Sequence, residues 1–156
     1  MITNFKLFES DEILIKFGDY TLTKNDLDTK YKDKITKHYG RYDIDSALYT
    51  LYDTEKIYNN GGWLYRAIWL DDEKDFNKEN LGYHWCSNEY DIDNIFQLFY
   101  MYNKDLHHQK CFIIKSYTPP KNVTIASDYW NNLEENEIEV IDPKKLINTT
   151  LTEYKN

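Results

Sequence analysis

WLYRAIWL, residues Trp63 to Leu70, follows the turn sequence NNGG (Asn59 to Gly62) and divides the chain into two characters. Eight residues dominated by large apolar side chains, bounded by glycine and by the acidic run DDEKDFNKEN, have the pattern of a buried strand. Arg66 interrupts the run. A guanidinium in a buried strand needs a partner or a ligand, and its planar fork suits phosphate or carboxylate bidentately. An internal ion pair with a carboxylate is the competing explanation.

Upstream of this strand the chain reads as mainly helical over residues 1–60. EILIKFGDYTL alternates apolar and polar residues on both sides of Gly18-Asp19, which predicts a hairpin. Thr23, with Asp26 three residues on, predicts a cap for a helix through DLDTKYKDKITKHY to Gly40. A second helix fits DIDSALYTLYDTEKIY, with Ile44, Leu48, Leu51 and Tyr52 on one face.

Downstream, strands dominate. In NLGYHWCSNEY, Gly82 allows close backbone approach, Tyr83 to Cys86 read as extended, and Ser87 or Asn88 can cap the helix EYDIDNIFQLFYMY. The apolar face of that helix carries Ile92, Ile95, Phe96 and Phe99. CFIIKSYTPPKNVTIAS predicts two strands separated by Pro119-Pro120. After the loop SDYWNNLEEN, the last strand expected is EIEVI, closed by Asp142-Pro143. Glu135, Glu137, Glu139 and Ile141 alternate onto one of its faces, and Ile138 and Val140 onto the other. Three carboxylates on one face suit a solvated edge, or a cleft where crowding tunes their ionisation.

The 156 residues suit a single domain able to bury a real core, and the 15 tyrosines and 7 phenylalanines supply much of its apolar area. The 27 acidic against 19 basic residues give a net charge of −8, a surface that repels phosphate backbones, so nonspecific nucleic-acid binding is not expected. Cys86 and Cys111 are too few for a disulfide scaffold and read as buried free thiols. The start MITNFKLFESDEILIKFG lacks a long apolar segment and nothing later approaches a membrane span, so a cytoplasmic location is expected. The N-x-T sequons at Asn122 and Asn148 carry little weight in that setting. Adjacent His107 and His108 lack the i, i+4 spacing of a helical metal pair, and no metal is expected.

The order of these pieces resembles the ADP-ribosyltransferase family, the small NAD-using domains of bacterial toxins and phage proteins. YRAI stands for its first motif, GYHWCSN for the second and ENEIEVIDP for the third, so the resemblance spans residues 63–146. It implies an α+β fold, a split β-sandwich of two small packed sheets with flanking helices, behind the helical N-terminal part. It also implies a mono-ADP-ribosyltransferase that uses NAD as co-substrate, with no metal, and modifies a protein target as a phage or bacterial effector. Arg66, beside Ala67, would hold the NAD diphosphate and adjoining ribose. Gly82, His84, Trp85 and Cys86 would shape the nicotinamide-ribose pocket, with His84 where the family usually has a serine.

The catalytic carboxylate would be Glu137 if Glu135 and Glu137 form the family's paired glutamates, or Glu139 if Glu137 and Glu139 do. In the family the loop before this strand meets the target, which makes Tyr129 and Trp130, exposed-looking aromatics, candidates for gripping a protein; Trp130 could instead fold back on the core. Two alternatives stay open: an NAD glycohydrolase with water as acceptor, and a binding module that kept the fold and lost turnover.

Overall fold

A computed structural model describes residues 11–102 and 108–155. The first ten residues of the start quoted above, and His107, lie outside them. The architecture is α+β, built from small antiparallel sheets and a few helices.

The hairpin forms as expected: β1 (Ile13–Phe17) pairs with β2 (Tyr20–Thr23) around Gly18, whose φ of +55° is one that glycine adopts without steric cost. Thr23 then makes a reciprocal capping box with Asp26. The helix that follows is shorter than expected. It runs as α1 (Lys24–Asp28), breaks, and resumes as α2 (Lys32–Tyr39), ending at a left-handed Gly40. At the break Thr29 leaves helical geometry, with its amide and its hydroxyl both donating to the Asn25 carbonyl.

Helix α3 (Ile44–Asn60) is capped by Asp43 and buries Leu48 and Leu51 as expected; Tyr52, assigned to the same face, is 46% exposed. These N-terminal elements share an apolar cluster that includes Ile15, Leu22, Leu27, Ile35 and Leu51, with Tyr129 and Leu133 contributed from far along the chain.

Two three-stranded antiparallel sheets follow. In the first, β5 (Lys110–Thr118) lies between β3 (Gly62–Leu70) and β8 (Ile147–Glu153). In the second, β7 (Ile138–Val140) lies between β4 (His84–Trp85) and β6 (Val123–Ile125). A bridge between Tyr65 and Cys86, with both backbone hydrogen bonds at 2.8 Å, joins the sheets. Their apolar sides meet in one cluster of Leu64 and Ile114 with Trp85, Val123, Ile138 and Val140, joined by Ile57 of α3. Each such side chain contributes roughly 1.5–3 kcal/mol on burial.

β3 departs from the buried strand expected of it. It lies at a sheet edge and only Leu64 is fully buried. Its large apolar residues alternate faces, and Trp63 on the open side packs under the Lys115 ammonium (4.5 Å) and edge-on to Tyr117. The Pro119-Pro120 turn does separate two strands, yet these do not pair, because the chain passes there from one sheet to the other. Asn122 pins this crossing: its side-chain amide bridges Thr118 and Asp142 and is buried.

β7 is likewise not the last strand. INTTLTE forms β8 beyond it, a half-exposed edge with few large apolar residues and therefore little pattern to read. Helix α4 (Tyr90–Tyr102) starts where Asn88 Oδ1 accepts from the Tyr90 amide. Its Ile92 is fully buried, and Phe96 packs on Tyr154; the side chain of Phe99 lies outside the described residues. No helix among the described residues is long and apolar enough to cross a membrane.

Candidate active site

The site is built where the two sheets touch. The Tyr65–Cys86 bridge sets β3 beside β4, so Arg66 and Ala67 come next to His84, Trp85 and Cys86. β4 in turn pairs with β7, with His84 opposite Glu139 and Trp85 opposite Ile138. Cross-strand partners share a face, so the even-numbered Ile138 follows Trp85 into the core while Glu137 and Glu139 leave on the side of His84. A cavity of about 140 Å³ results, lined by Tyr65, Arg66, Ala67, His84, Trp85, Cys86, Ile95 and Glu137.

Arg66 is held by backbone rather than by a carboxylate fork. Its Nη1 donates to the His84 carbonyl at 3.3 Å, and the guanidinium lies so close over Gly82 that any Cβ there would overlap it. Gly82 also has φ +81°, a second reason for glycine. Trp85 locks this turn through its indole N–H, which donates to the Gly82 carbonyl at 2.9 Å. Burial draws the Arg66 pKa down and the nearby Glu137 charge pushes it back up; a guanidinium remains a cation throughout. A second cavity of about 190 Å³ opens on the other side of Arg66, walled by Ile68, Phe76, Leu81, Asn77 and Asn80.

Glu137 faces the cavity from β7's approach. His84 Nδ1 lies 3.0 Å from its Oε2, with the imidazole half exposed. Glu139 is on the same strand face but flanked by His84 and Thr124 across the ladder, and it does not line the cavity. Glu135 does not belong to the strand. It ends a short 3-10 turn (Leu133–Glu135), and Asn136 then reverses the chain with φ +51°. Of the three carboxylates only Glu139 lies within β7; Glu137 immediately precedes the strand, and left-handed Asn136 separates Glu135 from it.

Cys86 is buried, and its thiol pKa is pushed up to about 12, first by burial and then by the charges of Asp91, Glu137 and Glu135. It stays protonated at neutral pH, a wall of the cavity and not a nucleophile. Cys111 is also free, buried and pushed up to about 12.

Tyr129 and Trp130 stand apart from this cavity, and Tyr129 corrects the expectation of an exposed pair. Tyr129 is 4% exposed and its hydroxyl donates to the Ala47 carbonyl at 2.6 Å, so its ring is core. Trp130 has folded back, stacked on Tyr31 with centroids 4.0 Å apart and planes at 12°. A large apolar ring next to α2 gains more from that burial than from water.

Asn136 escaped the sequence analysis. Its amide donates to Asp91 Oδ1 at 3.1 Å and its carbonyl accepts from the Thr50 hydroxyl, also at 3.1 Å, tying Glu137's neighbour to α3 and α4. An asparagine between two glutamates just before a strand is the available signal, since asparagine tolerates the left-handed region. Ile95, on the apolar face of α4, and Tyr65, in the apolar run of β3, also line the cavity. Among the described residues no group of three or more His, Cys, Asp or Glu side chains could hold a metal ion. No protein-family model matches the chain, and neither the curated proteins nor the solved structures contain a match.

Proposed function

We propose that the chain is an NAD-dependent mono-ADP-ribosyltransferase that modifies a protein in the cytoplasm of a bacterium or its host, as a phage or bacterial effector. The observation that carries this is the meeting of Arg66, His84 and Glu137, remote in sequence, around one cavity. The fold proposed with it is the split β-sandwich of ADP-ribosyltransferase type, supported by two small sheets that share an apolar cluster and are joined by the Tyr65–Cys86 bridge.

The residues fit NAD in charge and placement. A cavity of about 140 Å³ takes a ring-sized group, not a dinucleotide, and Arg66 separates it from the cavity of about 190 Å³. A dinucleotide laid across Arg66 would put one end in each cavity and its diphosphate on the guanidinium fork. When bound, NAD supplies a ribosyl carbon whose bond to nicotinamide breaks with the electron pair leaving on the pyridine nitrogen. Glu137 presents a fixed negative charge on the side of the cavity where positive charge develops, which favours the transition state over the ground state. His84 holds that carboxylate from the side, its Nδ1 3.0 Å from Oε2. Trp85 and Cys86, both buried, form an uncharged wall of the cavity. The protein acceptor's nucleophile completes the transfer and gives up its proton.

The same His84–Glu137 contact favours a second function, a binding module without turnover, because a carboxylate already held by an imidazole is less open to a ribose hydroxyl. Incubating the protein with labelled NAD and a bacterial lysate separates the possibilities. Label on a protein band is the expected result, free ADP-ribose alone points to a glycohydrolase, and bound but unconsumed NAD points to the module. No label and no nicotinamide release, with wild type indistinguishable from Arg66→Ala, would sink both enzyme assignments.

A further inference from the structure

Away from the Arg66 cavity, a depression lies between α2 and the segment before β7. It holds about 420 Å³ and is lined by Lys34, Lys37, His38, Trp130, Asn131 and Leu133. Its charge runs against the rest of the molecule. Residues 30–41 carry Lys30, Lys32, Lys34, Lys37 and Arg41 against the single acid Asp33, inside a chain of net charge −8. Arg41 is taken up by Asp43 at 3.1 Å, and among the described residues the lining of the depression includes Lys34 and Lys37 and no acidic side chain.

The floor of the depression is apolar and held in place. Trp130 is stacked on Tyr31, and Leu133 is 3% exposed. Lys34 Nζ donates to Asn131 Oδ1 at 2.8 Å, which ties the cationic wall to the segment that carries Trp130. Lysines above an apolar floor suit a ligand with carboxylates on an apolar stem, as glutamate and aspartate side chains in an extended peptide provide. A nucleic acid matches less well. It needs a track of positive charge, and beyond this patch the acidic surface opposes it.

The position relative to the Arg66 cavity gives such a site a use. Leu133 borders the depression and Glu137 borders the cavity, and four residues of chain span at most about 14 Å. We propose that the depression between α2 and the 129–135 segment binds an acidic stretch of the acceptor protein and so selects which protein is modified. Its use in acceptor selection rests on the transferase assignment; its binding chemistry does not.

The test is direct binding without NAD. A fluorescein-labelled decapeptide rich in Glu and Asp, and its Gln/Asn counterpart, are titrated with the full-length protein by fluorescence anisotropy at two salt concentrations. The acidic peptide is expected to bind more weakly as salt rises, and at least about 10-fold more weakly to Lys34→Glu/Lys37→Glu and several-fold more weakly to Lys37→Ala, by loss or reversal of close charge pairs. Circular dichroism confirms that each variant is folded; the substituted positions are solvent-facing.

Equal binding of both peptides, or of neither, overturns the proposal. So does a single-stranded oligonucleotide that binds more tightly than the peptide and is lost in the same variants. NAD binding measured on the same samples is expected to be unchanged by the lysine substitutions. Its absence in wild type would count against the transferase assignment while leaving the peptide result intact.

Discussion

His84 Nδ1 lies 3.0 Å from Glu137 Oε2, although the ladder pairs His84 with Glu139. The contact is therefore diagonal, between residues two apart in register on one sheet face. Glu137 lines the cavity together with Arg66, whose ionisation reflects the Glu137 charge. Glu139 lies along the same face and stays outside the cavity lining. The diagonal is what separates Glu137 from Glu139 at the cavity.

Glu137→Gln is accordingly expected to lower ADP-ribose transfer by roughly 10²–10³-fold, the usual cost of removing one electrostatic partner of a transition state. Glu139→Gln should stay within a few-fold of wild type. Initial rates with labelled NAD, beside NAD affinities for both variants, measure this. A larger loss in Glu139→Gln than in Glu137→Gln would reverse the assignment.

Gly82→Ala should fold and fail to bind NAD normally. A methyl group at this position overlaps the Arg66 guanidinium, and the backbone φ of +81° is costly for alanine. Because Arg66 is a flexible side chain it can swing away, so the stability loss should be only about 1–2 kcal/mol. Calorimetry is expected to show a modest fall in Tm together with a large fall in NAD affinity. An unchanged affinity would mean that Arg66 does not hold the diphosphate.

Both thiols should be inert in the folded protein. Burial pushes Cys86 and Cys111 up to about 12, so the thiolate fraction at pH 8 is very small. Ellman's reagent at pH 8 is expected to count no rapidly reacting thiol in native protein, and two after denaturation in guanidinium. Rapid labelling of Cys86 in the native state would show that the cavity wall opens.

Much of this site could be read from side-chain types. Arg66 interrupting an apolar run, Gly82 before an aromatic stretch and the glutamates near Ile138 are local contrasts; of these, Arg66 and Glu137 line one cavity, with Gly82 against the Arg66 guanidinium. What sequence could not supply was the point at which extended backbone begins. Glu135 was placed on the strand by alternation, yet left-handed Asn136 delays the strand until Ile138. Alternation likewise could not see that β3 is an edge, because apolar residues on an edge look like those of a central strand. The polar neighbours of Tyr129 suggest exposure, while its hydroxyl is bound to the carbonyl of Ala47, far away in the sequence. Such contacts leave no period to detect.

Asp91 offers a test by pH. It lies in the first turn of α4, where the helix dipole favours a carboxylate. Burial acts in the other direction and is the larger influence: it raises the Asp91 pKa, with the Asn136 hydrogen bond lowering it and the Asp53 charge raising it again. Its Oδ2 is buried without a hydrogen-bond partner among the described residues. A carboxyl whose folded pKa exceeds the unfolded value of about 3.9 binds its proton more tightly in the native state. Its contribution to stability is therefore fully present below pH 3.9 and is lost as pH rises through the folded pKa. Asp91→Asn keeps an acceptor for the Asn136 amide and removes the ionisation. The variant is expected to have a higher Tm than wild type at pH 7, with the gap closing as pH falls toward about 4. Thermal melts of both proteins from pH 3.5 to 7.5 read this difference directly, since the other carboxylates titrate in both. A gap that widens on acidification would mean that the helix dipole and Asn136 outweigh burial, and that Asp91 holds Asn136, and through it Glu137, as an anion.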